Sequence, residues 1–369
     1  MIYHLLTENE CFSAIEGGAI ARWVANVLRP LQDRVACAAA DTSYNFSEHR
    51  LKRIPSLMTL RKYSRLVRAL PAPVLKYTLQ SSVEALISCL RPGDVLWIHN
   101  RPDFAWALFD HVRRAGATIV LHMHNSHLLR CTSDQIQVLN RLPIVFCSSY
   151  LLKEASTLRA WDNPTCKVIY NGACCPPRSA GANDSDREPT VVFAGRLVPE
   201  KGVHILLEAM SILEQEKVRV SCTIIGGAWF GSTGKSHYIT SLRRTAPANA
   251  RFAGYLTGDA LIREVAAADI FCCPSVWQEP FPMSNLEALA VGLPVVASRV
   301  GGIPEGLQYG GGILVPPNDP VALAAALRSL IVDIELRTRM GSEAVRAHRN
   351  HFSWDKIRND YNAVLQEVR

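Results

Sequence analysis

Short apolar runs with strand character alternate with amphipathic helical stretches along the whole chain, and this alternation stops once and then restarts. A chain patterned this way folds into parallel βαβ units, because each strand must cross over through a helix to reach its parallel neighbour. In the first stretch the pattern predicts strands at Ile2–Leu6, Val35–Ala39, Val95–His99, Thr118–His124, Ile144–Ser148 and Lys167–Ile169. It predicts helices near Gly18–Leu28, Val83–Cys89 and Phe104–Arg114. Residues Pro176–Pro189 (PPRSAGANDSDREP) have no apolar periodicity and read as a linker. Beyond it come a strand at Thr190–Ala194 and a helix at Val203–Gln215, with Val203, Leu206, Leu207, Met210 and Leu213 on one face. Further strands are predicted at Val220–Ile225, Arg251–Ala253, Ile270–Cys273, Pro294–Ser298 and Gly312–Val315, and a closing helix at Ser353–Val368. The expected organisation is therefore α/β: a first doubly wound domain over 1–176, a linker over 177–189 and a second doubly wound domain over 190–352. The last helix, 353–369, is expected to return to the first domain. Such halves place a ligand between them, at the carboxyl ends of their strands.

A length of 369 residues accommodates two such domains, and 48% apolar with 20% charged residues excludes a disordered chain. The longest apolar run, Ala288–Ala297, is interrupted by Gly292 and Pro294 and is too short to span a bilayer. The N-terminus MIYHLLTENE has neither a basic region nor a small-residue cleavage site, so no secretory signal is expected. The 11 cysteines form no C-x-x-C pair, which points to free, buried thiols in a reducing, cytoplasmic setting. Positive charge is concentrated: residues 1–178 hold 21 Lys+Arg against 13 Asp+Glu, whereas 179–369 hold 19 against 20. Between Arg50 and Lys76 no acid occurs, and Arg61, Lys62, Arg65 and Arg68 interleave with Leu57, Leu60, Leu66 and Leu70 at helical spacing. That segment suits peripheral contact with an anionic membrane. A solvated basic face or a site for a phosphate-bearing acceptor fits it equally. No zinc-finger spacing or aromatic RNA-binding signature is present, so no nucleic-acid partner is expected.

Four motifs carry chemistry. Gly195–Gly202 (GRLVPEKG) leaves the strand TVVFA and enters a helix, a position where free N–H groups and the helix dipole favour an anion. There Arg196 offers a planar fork for phosphate oxygens and Lys201 a compact second cation; the alternative is two solvated cations in a turn. In Glu279–Ser298 (EPFPMSNLEALAVGLPVVAS), Ser284 and Glu287 have capping-box spacing, which predicts a helix starting near Asn285. Glu287 then either caps that helix or reaches ribose hydroxyls from its first turn, while Glu279 on the preceding loop is free to accept from sugar hydroxyls. Gly17 and Gly18 in EGGA allow close approach to a ligand, or form a plain turn. In HMHNSH, His122 and His124 share a strand face, but a metal site needs a third spaced ligand, and no motif supplies one. A single active-site histidine, His124, is the expectation, with no metal and no cofactor. Asp184-Ser185-Asp186 lies in the linker, and GSTGKS (231–236) lacks the first glycine of a P-loop because Trp229 occupies it. The loop beginning at Gly226 still follows a strand and can line a ligand site.

Together, GG near the N-terminus, GRLVPEKG, EPFPMSNLEALAVGLPVVAS followed by VGGIPE, CSSYLLKE at Cys147–Glu154 and IYNG at Ile169–Gly172 resemble glycosyltransferase family 4. Members of that family are retaining nucleotide-sugar enzymes with the GT-B fold, two Rossmann-like domains facing a central cleft. The resemblance implies that a nucleotide-diphosphate sugar is held mainly by the second domain. Arg196 and Lys201 would hold the diphosphate, Glu287 the ribose, and Glu279 with the backbone of Phe281, Pro282 and Met283 the transferred sugar. Leu286 would lie beside them, Tyr255 and Leu256 near the base, and Gly17 and Gly18 would close over the phosphates. His124 would stand near the donor sugar. It further implies metal-independent transfer of a hexosyl group, with retention, to a glycan or lipid-linked acceptor in cell-surface polysaccharide or glycolipid synthesis, the acceptor being bound by the first domain. The family's usual Gly-Phe-Gly is here Pro280-Phe281-Pro282, which removes the amide hydrogen at Pro282. The aspartate that commonly follows Asn-Gly is replaced by Ala173-Cys174-Cys175. Two rival readings keep the fold: a nucleotide-sugar epimerase or hydrolase, and a non-catalytic nucleotide-sugar binder.

Overall fold

A computed structural model of the chain describes residues 1–6, 11–12, 18–29, 33–37, 39–40, 51–54, 56–57, 62, 66–67, 69–174, 187–228 and 236–369. Gly17, Arg61, Arg65 and Arg68, most of the expected linker, and the Asp184 and GSTGKS motifs (Ser236 aside) lie outside the described residues. The chain divides into two compact units, Met1–Asn171 with Ile357–Arg369, and Gly172–Lys356.

The first unit is built on a seven-stranded, wholly parallel sheet. Its strands are β1 (Ile2–Leu5), β3 (Asp33–Cys37), β5 (Leu51–Arg53), β6 (Val95–His99), β7 (Thr118–Met123), β8 (Ile144–Phe146) and β9 (Cys166–Val168). They lie in the order β5-β3-β1-β6-β7-β8-β9, while β2 (Cys11–Phe12) and β4 (Ala39–Ala40) form a separate short pair. Every residue of β6 is buried, as expected of a parallel strand covered on both faces. The helix Ala19–Val27 buries Ile20, Trp23, Val24 and Val27, and the closing helix Trp354–Val368 contributes Tyr361 to the same unit, fully buried. Leu51–Arg53, inside the basic segment predicted as helical only from Leu57 onward, forms the sheet's edge strand β5.

The second unit carries a six-stranded parallel sheet: β10 (Thr190–Ala194), β11 (Ser221–Ile225), β12 (Ala250–Gly254), β13 (Ile270–Cys273), β14 (Val295–Ser298) and β15 (Gly312–Val315). Their order is β12-β11-β10-β13-β14-β15, so the winding reverses beside β10, between β10 and β13. The helix Val203–Gln215 packs its predicted face, Val203, Leu206, Leu207, Met210 and Leu213, into a core shared with Val191, Ile224 and Leu327. None of the nine cysteines whose side chains the structure describes forms a disulfide; Cys37, Cys147, Cys222, Cys272 and Cys273 are buried, but Cys89 and Cys174 are exposed, so burial holds for only part of the set. No helix among the described residues is long and apolar enough to cross a membrane.

Candidate functional site

The winding reversal in the second unit makes β10 and β13 neighbours whose outgoing loops diverge, and the carboxyl ends of such strands are where doubly wound sheets bind ligands. Both loops carry predicted site residues. From β10 the chain runs through Gly195–Gly202, with a 3-10 turn at Pro199–Lys201, into the helix that begins at Val203. From β13 it runs through Pro274–Pro282 into the helix Met283–Ala290. The two loops are stitched together where the Val276 N–H donates to the Glu200 carbonyl at 3.0 Å. Gly202 sits at the crossing with φ +69°, and a Cβ there would lie 1.9 Å from the Pro274 carbonyl oxygen. Only glycine permits that approach.

Lys201 and Glu279, 78 residues apart in sequence, meet here: Lys201 Nζ donates to Glu279 Oε1 at 2.5 Å, and Ser275 Oγ donates to the same oxygen at 2.6 Å. Glu279 is 3% exposed and Ser275 fully buried, whereas the Lys201 side chain keeps one-fifth of its surface in solvent (20%). The Lys201 ammonium also lies 5.9 Å from the centre of the Trp277 ring. The adjoining Cys273 thiol is pushed up to about 11 by burial, with the Glu279 charge adding to the effect, so it stays neutral. The loop after β14 clamps the same segment from the other side. There Gly301 N–H donates to Gln278 Oε1 and Gly302 N–H to the Glu279 carbonyl, each at 2.7 Å.

Arg196, half-buried, stands in the same loop as Lys201. Gly226 follows β11, and its N–H donates to the Gly254 carbonyl at 2.8 Å; Tyr255 beyond it is exposed and Leu256 half-buried. Phe281 and Met283 are buried and Pro282 half-buried. Leu286, 1% exposed, is a core residue of its helix, so its side chain has no free surface for a ligand here. The capping-box expectation is corrected. The helix starts at Met283 with Pro282 as its N-cap and no side-chain cap bond, because the fixed φ of Pro282 (−72°) and its missing N–H already suit a helix entry. Ser284 therefore lies inside the helix, and Glu287, half-buried, falls in its second turn rather than its first.

In the first unit, Gly18 caps the helix Ala19–Val27 with ordinary extended backbone, φ −63°. His124 is not a solitary side chain. His99 ends β6 in register with His122 on β7, and His124 follows two residues on, so all three share a face with His4 and Trp97. His124 Nε2 lies 3.1 Å from His99 Nδ1, His99 Nε2 lies 3.1 Å from His4 Nδ1, and His4 Nε2 lies 2.9 Å from the Tyr361 hydroxyl. Tyr361 in turn donates to Asp33 Oδ2 at 3.3 Å, and Arg29 holds the other carboxylate oxygen at 2.9 Å. Burial would raise the Asp33 carboxyl, but hydrogen bonds with His4 and with the Arg29 side chain and backbone outweigh it and hold the group down at about 2. Burial lowers His99 and His122 well below the ordinary range and His124 to about 3, so these imidazoles are neutral. The third histidine that the sequence motif lacked is thus His99. Its only sequence signal was a polar residue closing an otherwise apolar strand, VLWIH.

Residues 179–346 match the family described as glycosyl transferases group 1. The chain carries a glycosyl transferases group 1 domain. This domain spans β10 to β15 and contains both loops that meet at Lys201 and Glu279. The two-unit architecture is that of the GT-B glycosyltransferases: the crystal structure of Anabaena HepE in complex with UDP aligns with a TM-score of 0.76 over 99% of each chain, at 20% identity. Spore coat protein SA of Bacillus subtilis is 26% identical over 299 residues, covering 75% of this chain and 79% of that protein. The D-inositol 3-phosphate glycosyltransferase of Corynebacterium efficiens is 35% identical over 182 residues, 48% of this chain and 42% of that enzyme.

Proposed function

We propose that this chain is a retaining, metal-independent glycosyltransferase of family 4 that moves a hexosyl group from a nucleotide-diphosphate sugar to a hydroxyl of a glycan or lipid-linked acceptor. The observation that carries the reading is the Lys201–Glu279–Ser275 cluster at the winding reversal of the group 1 domain. Ser275 and Lys201 both engage Oε1 of Glu279, which leaves Oε2 as an acceptor for a sugar hydroxyl. Lys201, with its head partly in solvent, can share its charge with a diphosphate, and Arg196 from the same loop adds a fork for the remaining oxygens. In the transfer, the bond from the anomeric carbon to the diphosphate oxygen breaks and a bond to the acceptor oxygen forms on the same face. The acceptor's proton passes to the leaving diphosphate, whose growing charge Lys201 and Arg196 stabilise. Because these side chains supply that charge, turnover is expected to persist without added Mg²⁺ or Mn²⁺. HepE was crystallised with UDP-glucose, which makes uridine-linked sugars the first donors to try.

The test is a thermal-shift screen of the full chain against UDP-, GDP-, ADP- and TDP-sugars. A donor that binds only the folded form raises the melting temperature, by an amount set by its concentration relative to Kd. One of these donors is expected to give a clear shift that the double variant Arg196→Ala/Lys201→Ala loses. A shift that survives in the double variant, or no shift with any donor, counts against the reading.

We also place the protein in the cytoplasm, in peripheral contact with an anionic membrane through its basic 50–76 segment, where Lys62 is exposed. Sedimentation with vesicles containing phosphatidylserine should retain wild type and release an Arg61/Lys62/Arg65/Arg68→Ala variant. Each cation near such a surface contributes about 1 kcal/mol, so four of them dominate the binding. Equal partitioning of the two proteins would rule the contact out.

A further inference from the structure

The histidine cluster of the first unit contains an anomaly that its hydrogen-bond chain does not resolve. Both ring nitrogens of His122, and Nδ1 of His124, are buried without a hydrogen-bond partner among the described residues. An imidazole shut away from water with neither nitrogen satisfied is costly, and such a group calls for a specific explanation such as a bound ion. One ring nitrogen from each of His99, His122 and His124 lies within 4.8 Å of the other two. We propose that these three imidazoles form a binding site for one transition-metal ion of the zinc class, with a fourth position open.

The chain behind His99 prepares it for this role. Tyr361 has one hydroxyl proton and gives it to Asp33, so its oxygen must accept from His4 Nε2–H. In the tautomer that carries its proton on Nε2, His4 accepts at Nδ1 from His99 Nε2–H. What remains on His99 is a lone pair at Nδ1, facing His124. A ligating histidine held through its other nitrogen by an outer partner is the usual arrangement around protein-bound metals. The spacing agrees as well. Two nitrogens on one tetrahedral zinc, each bonded at the usual length, sit about 3.3 Å apart, close to the 3.1 Å between His99 Nδ1 and His124 Nε2. Trp23, with ring centres 4.6 Å from His122 and 5.6 Å from His99, walls the cluster from water. Three nitrogen ligands with no carboxylate in the set favour zinc, cobalt, nickel or copper over magnesium or calcium. The site is therefore distinct in chemistry from any ion that would accompany a diphosphate, and it does not depend on the reaction proposed above.

The experiment is a Co²⁺ titration of metal-stripped, full-length protein, followed by visible absorption and reversed with Zn²⁺. Wild type is expected to show the intense bands of low-symmetry four-coordinate cobalt, saturating at one ion per chain. His122→Ala should abolish them, while His351→Ala, a histidine stacked on Tyr309 in the second unit, should leave them intact. Tyr361→Phe removes no ligand but frees the orientation of His4 and His99, and should weaken binding by roughly 10- to 100-fold. If His122→Ala does not fold, anomalous scattering at the zinc edge from crystals of wild type grown with Zn²⁺ decides the matter by a peak within the cluster. No cobalt bands in wild type, bands of equal strength in a folded His122→Ala, or the absence of that peak overturns the site.

Discussion

Replacing Lys201 with Ala should lower donor turnover by about 10²- to 10³-fold, the usual cost of deleting one charged contact to a developing anion. It should also destabilise the second unit. Glu279 is almost fully buried, and among the described residues the substitution leaves its carboxylate with the Ser275 hydroxyl as its hydrogen-bond donor. Breaking a buried ion pair by removing one partner costs about 3–5 kcal/mol, and the lower end applies because the Lys201 head is partly in water. The two effects can be separated. In Lys201→Ala/Glu279→Gln the orphaned charge is gone while Ser275 can still donate to the Gln oxygen, so urea unfolding should return most of the lost stability. Turnover should not recover, because neither the cation for the diphosphate nor the sugar-reading carboxylate has been restored. Were turnover in the double variant to rise along with stability, Lys201 would be a structural partner of Glu279 and nothing more.

How much of this was legible beforehand depends on how local each feature is. The phosphate-type loop Gly195–Gly202 could be read because strand, loop and helix are contiguous, and every signal sits within one βαβ unit. The Lys201–Glu279 pair could not be read as a contact. Two strands, β11 and β12, intervene in sequence, and only the order of the sheet brings β10 beside β13. Ser275 gave no signal beyond being a polar residue in a strand-exit loop. The capping box failed because Ser-x-x-Glu also fits the interior of a helix, and the proline before it decided where the helix began. In the first unit, two histidines of one strand were visible, but His4, His99 and Tyr361 come from separate elements. Their meeting is a property of register and of the closing helix, not of spacing.

The loop after β14 offers a sharper test of whether the site is held by close backbone contact. Gly301 and Gly258 have nearly the same positive φ, +54° and +52°, so an alanine at either carries the same left-handed strain. That strain costs about 1–2 kcal/mol. Their surroundings differ completely. Among the described residues a Cβ on Gly258 meets nothing within 4 Å, whereas on Gly301 it would stand 2.1 Å from the Glu279 carbonyl oxygen and 2.6 Å from its nitrogen. Backbone cannot rotate aside like a side chain, so Gly301→Ala must push the 299–302 loop off Gln278 and Glu279. It thereby strains both 2.7 Å hydrogen bonds that fix the segment. Overpacking of this kind adds about 1–3 kcal/mol to the shared strain. The expected result is that Gly301→Ala unfolds at distinctly lower urea than Gly258→Ala. It should also lose about 10²-fold in turnover, the effect of moving a binding group by about 1 Å, while Gly258→Ala keeps near-normal activity. Equal stability and equal turnover in the two variants would show that the clamp on Glu279 yields freely, and that the carboxylate is placed by Lys201 and Ser275 alone.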